Sequence, residues 1–280
     1  MADVPEVKEV KIATPPASAM TILAHPDDAE FGSGGTIATW AQAGTEITMV
    51  IVTDGSKGSP DRTLTPAQLI LLRQEEQARA AKVLGVAHVV HLGHEDGYLQ
   101  PTIALRRDIA RVIRQYRPEV IITGDPDARF GGENYINHPD HRAAAEAALY
   151  GIFPAADNHN YFPELLAEGL EPHYVQSLYI QQWGDGSTVV PVSEEAMNTK
   201  IAALAEHKSQ FDIKDVEKFV RERTAEIGKK HDQPYAETYR VLVLHEPRSV
   251  KEAAAAEAEQ TMQETDAVAE AVKEPASVGE

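Results

Sequence analysis

Short apolar runs that end in polar loops alternate along this chain with longer stretches of helical character. Residues 20–23 (Met-Thr-Ile-Leu) run into Ala24-His25-Pro26-Asp27-Asp28-Ala29-Glu30 and then Phe31-Gly32-Ser33-Gly34-Gly35-Thr36. The β-branched run 48–53 ends in Asp54-Gly55-Ser56, the run 87–92 in Gly93-His94-Glu95-Asp96, and the run 120–123 in Gly124-Asp125. Runs this short and this apolar read as buried parallel strands. Between them, helices are expected over 36–43, stopped by Gly44, over 66–84, and over 103–115. Thr65 followed by Pro66 is an N-cap and first-turn pair, and Gly85 closes that helix. Strand and helix in alternation predict an α/β fold with a parallel, doubly wound sheet. All four strands then end on one rim, where ligands of such sheets bind.

The same periodicities extend the pattern to residue 247. An edge strand is expected at 10–12 within a charged lead-in covering 1–17. Residues 125–137 lengthen the fourth rim loop into a wall or lid, and 143–150 are strongly helical. A strand at 175–182, helices at 193–211 and 215–230, and a last strand at 238–244 follow. The aromatic, proline-punctuated segment 153–172 reads as a crossing over the pocket mouth or a subunit contact. The domain therefore spans 18–247. Beyond it, 248–280 is an acidic, low-complexity tail without a core-forming stripe.

Charge and composition narrow the chemistry. The formal net charge of -18 leaves no basic block for nucleic acid or an anionic membrane, and about -6 of it falls in the tail from Ser249 onward. Cysteine is absent, which removes disulfides, thiolate nucleophiles and cysteine-bound zinc. No apolar run is long enough to span a membrane, and the first residues carry no secretory pattern, so a cytoplasmic location is expected.

Any metal must then be held by His, Asp or Glu. His25 and Asp28, three apart on the first rim loop, and His141 on the fourth supply a His2Asp set that leaves a position for water. Zn2+ suits this set, and so do Fe2+, Co2+ and Mn2+. Asp27 is the spare carboxylate beside them, where a general base belongs. His138, three before His141 at a helix start, faces the same point. It could stabilise an oxyanion as an imidazolium, protonate the leaving group, or hydrogen-bond its own loop. Arg73 is either one of the charges on a solvated helix face, with Glu75, Glu76, Arg79 and Lys82, or a cation aimed inward. Asp96 either binds a substrate hydroxyl or starts the turn before Gly97.

His25-Pro26-Asp27-Asp28 with Gly34-Gly35-Thr36, and His138-Pro139-Asp140-His141-Arg142, resemble the two signature motifs of the LmbE/PIG-L family of metal-dependent N-acetylglucosaminyl deacetylases. The resemblance continues through Arg73, Leu84-Gly85-Val86, Asp96-Gly97, Lys200 and His207-Lys208-Ser209-Gln210 to Ala236-Glu237 and Arg240, covering about 18–245. It implies a Rossmann-like three-layer α/β/α sandwich with a mostly parallel sheet, and hydrolysis of an N-acetyl group from a GlcNAc-containing substrate. It also implies zinc ligands at His25, Asp28 and His141, a general base at Asp27, oxyanion stabilisation at His138, and contacts to the sugar or its aglycone at Arg73 and Asp96. Ala29 departs from the many relatives with Glu directly after the paired aspartates; here the acid stands at Glu30.

The expected partner is a small amino-sugar substrate, with no nucleic acid and no membrane, and the expected assembly is a homo-oligomer. One alternative is a metal-dependent amidase on another acyl amide, such as a thiol-sugar conjugate. Another is a nucleotide-binding Rossmann module prompted by Gly32-Ser33-Gly34-Gly35, which fits poorly because acids stand where phosphates would sit. The last is a scaffold that keeps the fold without chemistry.

Overall fold

The computed structural model describes residues 10–182 and 186–245. The lead-in is described only from Val10, and the acidic tail 248–280 lies outside the described residues. The elements below all belong to the unit that ends at Leu244.

In chain order they are β1 (Lys11–Ile12), β2 (Ser18–Leu23), α1 (Asp28–Gln42), β3 (Glu46–Thr53), α2 (Pro66–Leu84), β4 (His88–His94), α3 (Ile103–Tyr116) and β5 (Val120–Thr123). A small hairpin, β6 (Phe130–Gly131) and β7 (Tyr135–Ile136), precedes α4 (Pro139–Tyr150) and α5 (Pro163–Ala167). The chain closes with β8 (Ser177–Gln181), β9 (Thr188–Val192), α6 (Glu194–Leu204), α7 (Ile213–Lys229) and β10 (Tyr235–Val243).

Eight strands form one sheet in the order β1-β9-β10-β8-β5-β2-β3-β4. Every pairing is parallel except the two made by β10, which runs antiparallel to β8 and β9. Alternation along the strands divides the core into two layers. Leu23, Met49, Ile51, Ile122 and Tyr179 face α1, α2, α6 and α7, whereas Met20, Ile22, Val50, Val52, Ile121 and Ile180 face α3 and α4. The reversal follows from handedness: β2, β3 and β4 build outward in one direction, β5 returns to the other side of β2, and right-handed crossovers then put their helices on opposite faces. The gap between β2 and β5 is the switch point of the sheet.

Two sequence expectations are corrected by packing. Helix α1 starts at Asp28, not at residue 36, so Gly32, Gly34 and Gly35 lie inside it. They are there for close approach. A Cβ on Gly34 would meet Lys200 Cγ at 2.9 Å, and one on Gly35 would meet Val192 Cγ2 at 2.8 Å and Glu237 Oε1 at 3.0 Å. The Glu237 carboxylate accepts from the amides of Gly35 (2.9 Å) and Thr36 (2.7 Å), and Lys200 donates to Glu237 and to the Phe31 carbonyl. A carboxylate on these amides closes them to a phosphate, which removes the physical basis of the nucleotide-binding alternative. The second correction concerns 153–172, which does not cross the pocket mouth. Arg114, 2% exposed near the end of α3, donates to the carbonyls of Ala155, Ala156, Asn158 and Tyr161 and so holds the segment at the opposite end of the sheet from the rim.

Candidate metal centre

The rim loop after β2 turns sharply into α1. Asp27, the N-cap residue, has φ 91° and ψ −22°, and its side chain makes no capping bond. Its carboxylate is thereby turned away from the helix amides and toward Arg73. Asp28 folds the other way, its Oδ2 accepting from the backbone amide of His25 at 2.8 Å. On the far side of the switch point, His138 caps α4, its Nδ1 accepting from the Asp140 amide at 3.3 Å. Pro139 stands at the first helical position.

These two loops bring together residues separated by more than a hundred positions. His25, Asp28 and His141 each offer a donor atom within 4.8 Å of the others. Asp28 Oδ1 lies 3.1 Å from His141 Nε2, and Asp28 Oδ2 lies 3.5 Å from His25 Nδ1. The remaining ring nitrogens are held from behind. His25 Nε2 is 3.2 Å from Asp96 Oδ1 and 3.4 Å from Asp140 Oδ2, and His141 Nδ1 is 2.9 Å from Asn137 Oδ1. With those nitrogens as donors, His25 Nδ1 and His141 Nε2 both face Asp28 and would turn lone pairs to a metal on losing their protons, the arrangement in which metal-binding imidazoles are oriented by outer partners. The donor set therefore fits a divalent cation.

The electrostatics agree. Burial alone would lower the pKa of His25, yet hydrogen bonds to Asp140, Asp28 and Asp96 raise it to about 12. Burial would raise Asp28, but His141 and His25 hold it well below the usual carboxylate range. This is a pocket built for positive charge. Burial, and then Asp28 next to it, push Asp27 up to about 7 against the pull of Arg73. Burial, and then the neighbouring His25, lower the pKa of His138. Because its Nδ1 accepts from Asp140, the proton is on Nε2. The loop hydrogen bond, one of the three roles the sequence left open for His138, is made.

The other expected residues are also at this rim. The ring of His138 lies 4.7 Å from that of His25 and 5.6 Å from that of His141. Arg73 is 3% exposed, not on a solvated face, and donates to the carbonyls of Pro26 (2.7 Å) and Gly55 (3.1 Å) and to Asp27 Oδ2 (3.3 Å). Asp96 is 4% exposed; besides His25, its Oδ2 accepts from the Lys57 amide at 2.9 Å. Glu76 was expected in solvent with Arg73 and is 1% exposed, its carboxylate accepting from the amide and hydroxyl of Ser209.

Sequence reasoning gave no separate role to Asp140, Asn137, Gln77 or α7. Asp140 is fully buried and accepts from the amides of Gly97 (2.7 Å) and Leu99 (3.2 Å), which ties the β4 loop to α4. Its signal was an acid flanked by two histidines. A cavity of about 180 Å³ opens beside Asp28 and His141. Phe31, Asn137 and Gln182 line one part of it and Phe219, Arg223 and Ile227 of α7 another. The segment 153–172 does not line it.

Comparison with known proteins is consistent with this site. The family profile "PIG-L: GlcNAc-PI de-N-acetylase" matches residues 20–150, which include both histidine motifs. A diacetylchitobiose deacetylase of Thermococcus kodakarensis is 33% identical over 227 residues, covering 80% of this chain and 82% of its own. A 1D-myo-inositol 2-acetamido-2-deoxy-alpha-D-glucopyranoside deacetylase of Kineococcus radiotolerans is 29% identical over 55% of this chain and 50% of its own. Among solved structures, an N,N'-diacetylchitobiose deacetylase from Pyrococcus horikoshii superposes with a TM-score of 0.75 at 28% identity, covering 85% of this chain and 89% of its own. With that identity over that much of its length, and with both motifs converging on one rim, the chain belongs to the PIG-L family of de-N-acetylases.

Proposed function

We propose that this chain is a zinc-dependent deacetylase that hydrolyses the N-acetyl group of an N-acetylglucosamine-containing small molecule or glycoconjugate. The observation that carries the reading is the convergence of His25 Nδ1, Asp28 and His141 Nε2 on one point with a carboxylate that makes no helix-capping bond, Asp27, beside it. His25, Asp28 and His141 hold the metal; Fe2+, Co2+ and Mn2+ suit the same donors. A divalent cation bound there polarises the amide carbonyl and makes water acidic near neutral pH.

The chain's own groups do the rest. Asp27 takes a proton from the attacking water as the new C–O bond forms. His138 presents its Nε2–H to the oxygen of the tetrahedral intermediate. Asp27 returns the proton to the nitrogen as the C–N bond breaks, so acetate and the free amine leave. Arg73 and Asp96 offer a donor and an acceptor to the sugar hydroxyls on the Asp27 side of the centre. The remainder of the substrate lies along the cavity walled by Phe219, Arg223 and Ile227.

The test is acetate release from diacetylchitobiose and from a GlcNAc-inositol conjugate, before and after chelation and re-addition of zinc. Release that persists unchanged after the metal is stripped, or no release from any N-acetylated amino sugar, would defeat the reading.

A further inference from the structure

The base assigned above sits on a backbone that ordinary residues avoid. Asp27 has a positive φ of 91° at the entry to α1, in a region that costs any side chain with a Cβ. Such a conformation persists only when its surroundings over-determine it. Two residues of α2, one turn apart and on the same buried face, do so. Arg73 donates to the Pro26 carbonyl and to Asp27 Oδ2, and Gln77 Oε1 accepts from the Asp27 amide at 3.0 Å.

Gln77 is 1% exposed and bridges two groups of opposite demand. The Asp27 amide can only donate, whereas Glu30 Oε1, 2.7 Å from Gln77 Nε2, accepts. An amide side chain meets both requirements at once, and this fixes which end of Gln77 faces which partner. Glu30 is fully buried and is itself backed by His207, also fully buried, at 3.7 Å. The buried line Asp27–Gln77–Glu30–His207 thus ties the strained turn to the loop after α6.

We infer that Gln77 is a positioning residue for the deacetylation: with Arg73 it holds Asp27 in the left-handed turn that points the carboxylate at the reacting water instead of at the helix amides. The inference rests on the base assignment under Proposed function. Gln77 touches neither the metal ligands nor the cavity, so its loss acts through Asp27.

The experiment is steady-state acetate release from diacetylchitobiose by the zinc-loaded full chain carrying Gln77→Met, with Gln77→Asn as the second variant and Glu75→Gln on the exposed face of α2 as the control. Asparagine keeps the amide but is too short to span both partners. The expected result for either variant is kcat lower by about 10- to 100-fold, KM within about twofold and full metal content. In an Asp27→Ala background, Gln77→Met should cause no additional loss, which a merely structural role would not reproduce. Unchanged kcat in the variant that folds, or an equal further loss in the Asp27→Ala background, overturns the inference while leaving the base assignment standing. Wild-type kcat in Asp27→Ala alone overturns both.

Discussion

Asn137 isolates the contribution of an outer partner to the proposed metal centre. Its Oδ1 accepts from His141 Nδ1, fixing the tautomer that leaves Nε2 for the metal. Asn137→Ala should lower zinc affinity by about 10- to 100-fold in a chelator competition while retaining the fold. His141→Ala should abolish stoichiometric zinc binding outright. His138→Ala should keep the metal and lose rate, since that ring packs on His25 without belonging to the set His25, Asp28 and His141, although with His25, Asp96 and Asp140 it forms a second cluster of possible donors. Equal metal loss in both histidine variants would sink the division of labour. At this scale the motif His25-Pro26-Asp27-Asp28 was legible, because imidazole and carboxylates at such density are hard to explain as a turn. Asn137 and Gln77 were not legible, because an amide in a sequence gives no sign of whether it faces solvent or a histidine.

At the scale of elements, α1 and α2 show what patterning resolves and what it does not. The Thr65 cap with its reciprocal Gln68 bond, and Gly85 at φ 80°, place α2 between the expected residues. Its burial takes the inward alternative for Arg73 and departs from the solvated face expected for Glu76, because Arg73, Glu76 and Gln77 share the inward face with Leu69, Ala80 and Leu84. A polar stripe on a buried face resembles a solvated face in sequence. Only its partners, the 25–30 loop and Ser209, distinguish the two. For α1, glycines read as a turn are sites of contact with α6, β9 and β10. Gly35→Ala should destabilise the protein by about 1–3 kcal/mol, read from the midpoint of denaturant unfolding, because the new methyl meets both Val192 and Glu237. Arg114→Met should cost about 1–3 kcal/mol by leaving buried carbonyls of 155–161 without a donor, with faster proteolysis within 151–172 as the local readout.

For the molecule as a whole, stability should depend on pH through histidines far from the rim as well as those on it. His173 is half-buried, and that burial lowers its pKa, although its Nε2–H donates to the Pro118 carbonyl at 2.8 Å. With the folded-state value below the unfolded one, the unfolded chain binds the extra proton first. The stabilising contribution is therefore full above about pH 6.5 and lost as pH falls through the folded value. Thermal melting of wild type and His173→Gln should diverge least near pH 5 and most near pH 7.5, provided the glutamine keeps the bond to Pro118 less well than the imidazole. A gap that widens on acidification would refute the sign.

The layered architecture and the parallel run of β2, β3, β4 and β5 were legible in the sequence, since burial on both faces demands continuous apolar runs and periodicity marks the helices between them, whereas β9 and the antiparallel course of β10 were not. Also legible, as candidate halves of a metal centre, were His25 with Asp28 and, separately, His138 with His141. Tertiary structure decided how the halves meet. The strand order places β5 beside β2, and Asp140 ties α4 to the β4 loop. Asp27 acquires its strained turn only from α2, which the chain reaches some forty residues later. The physical reason is range: propensity and pattern act between neighbours along the chain, whereas the orientation of a carboxylate or an imidazole is set by whichever buried donor or acceptor the folded sheet brings within about 3 Å.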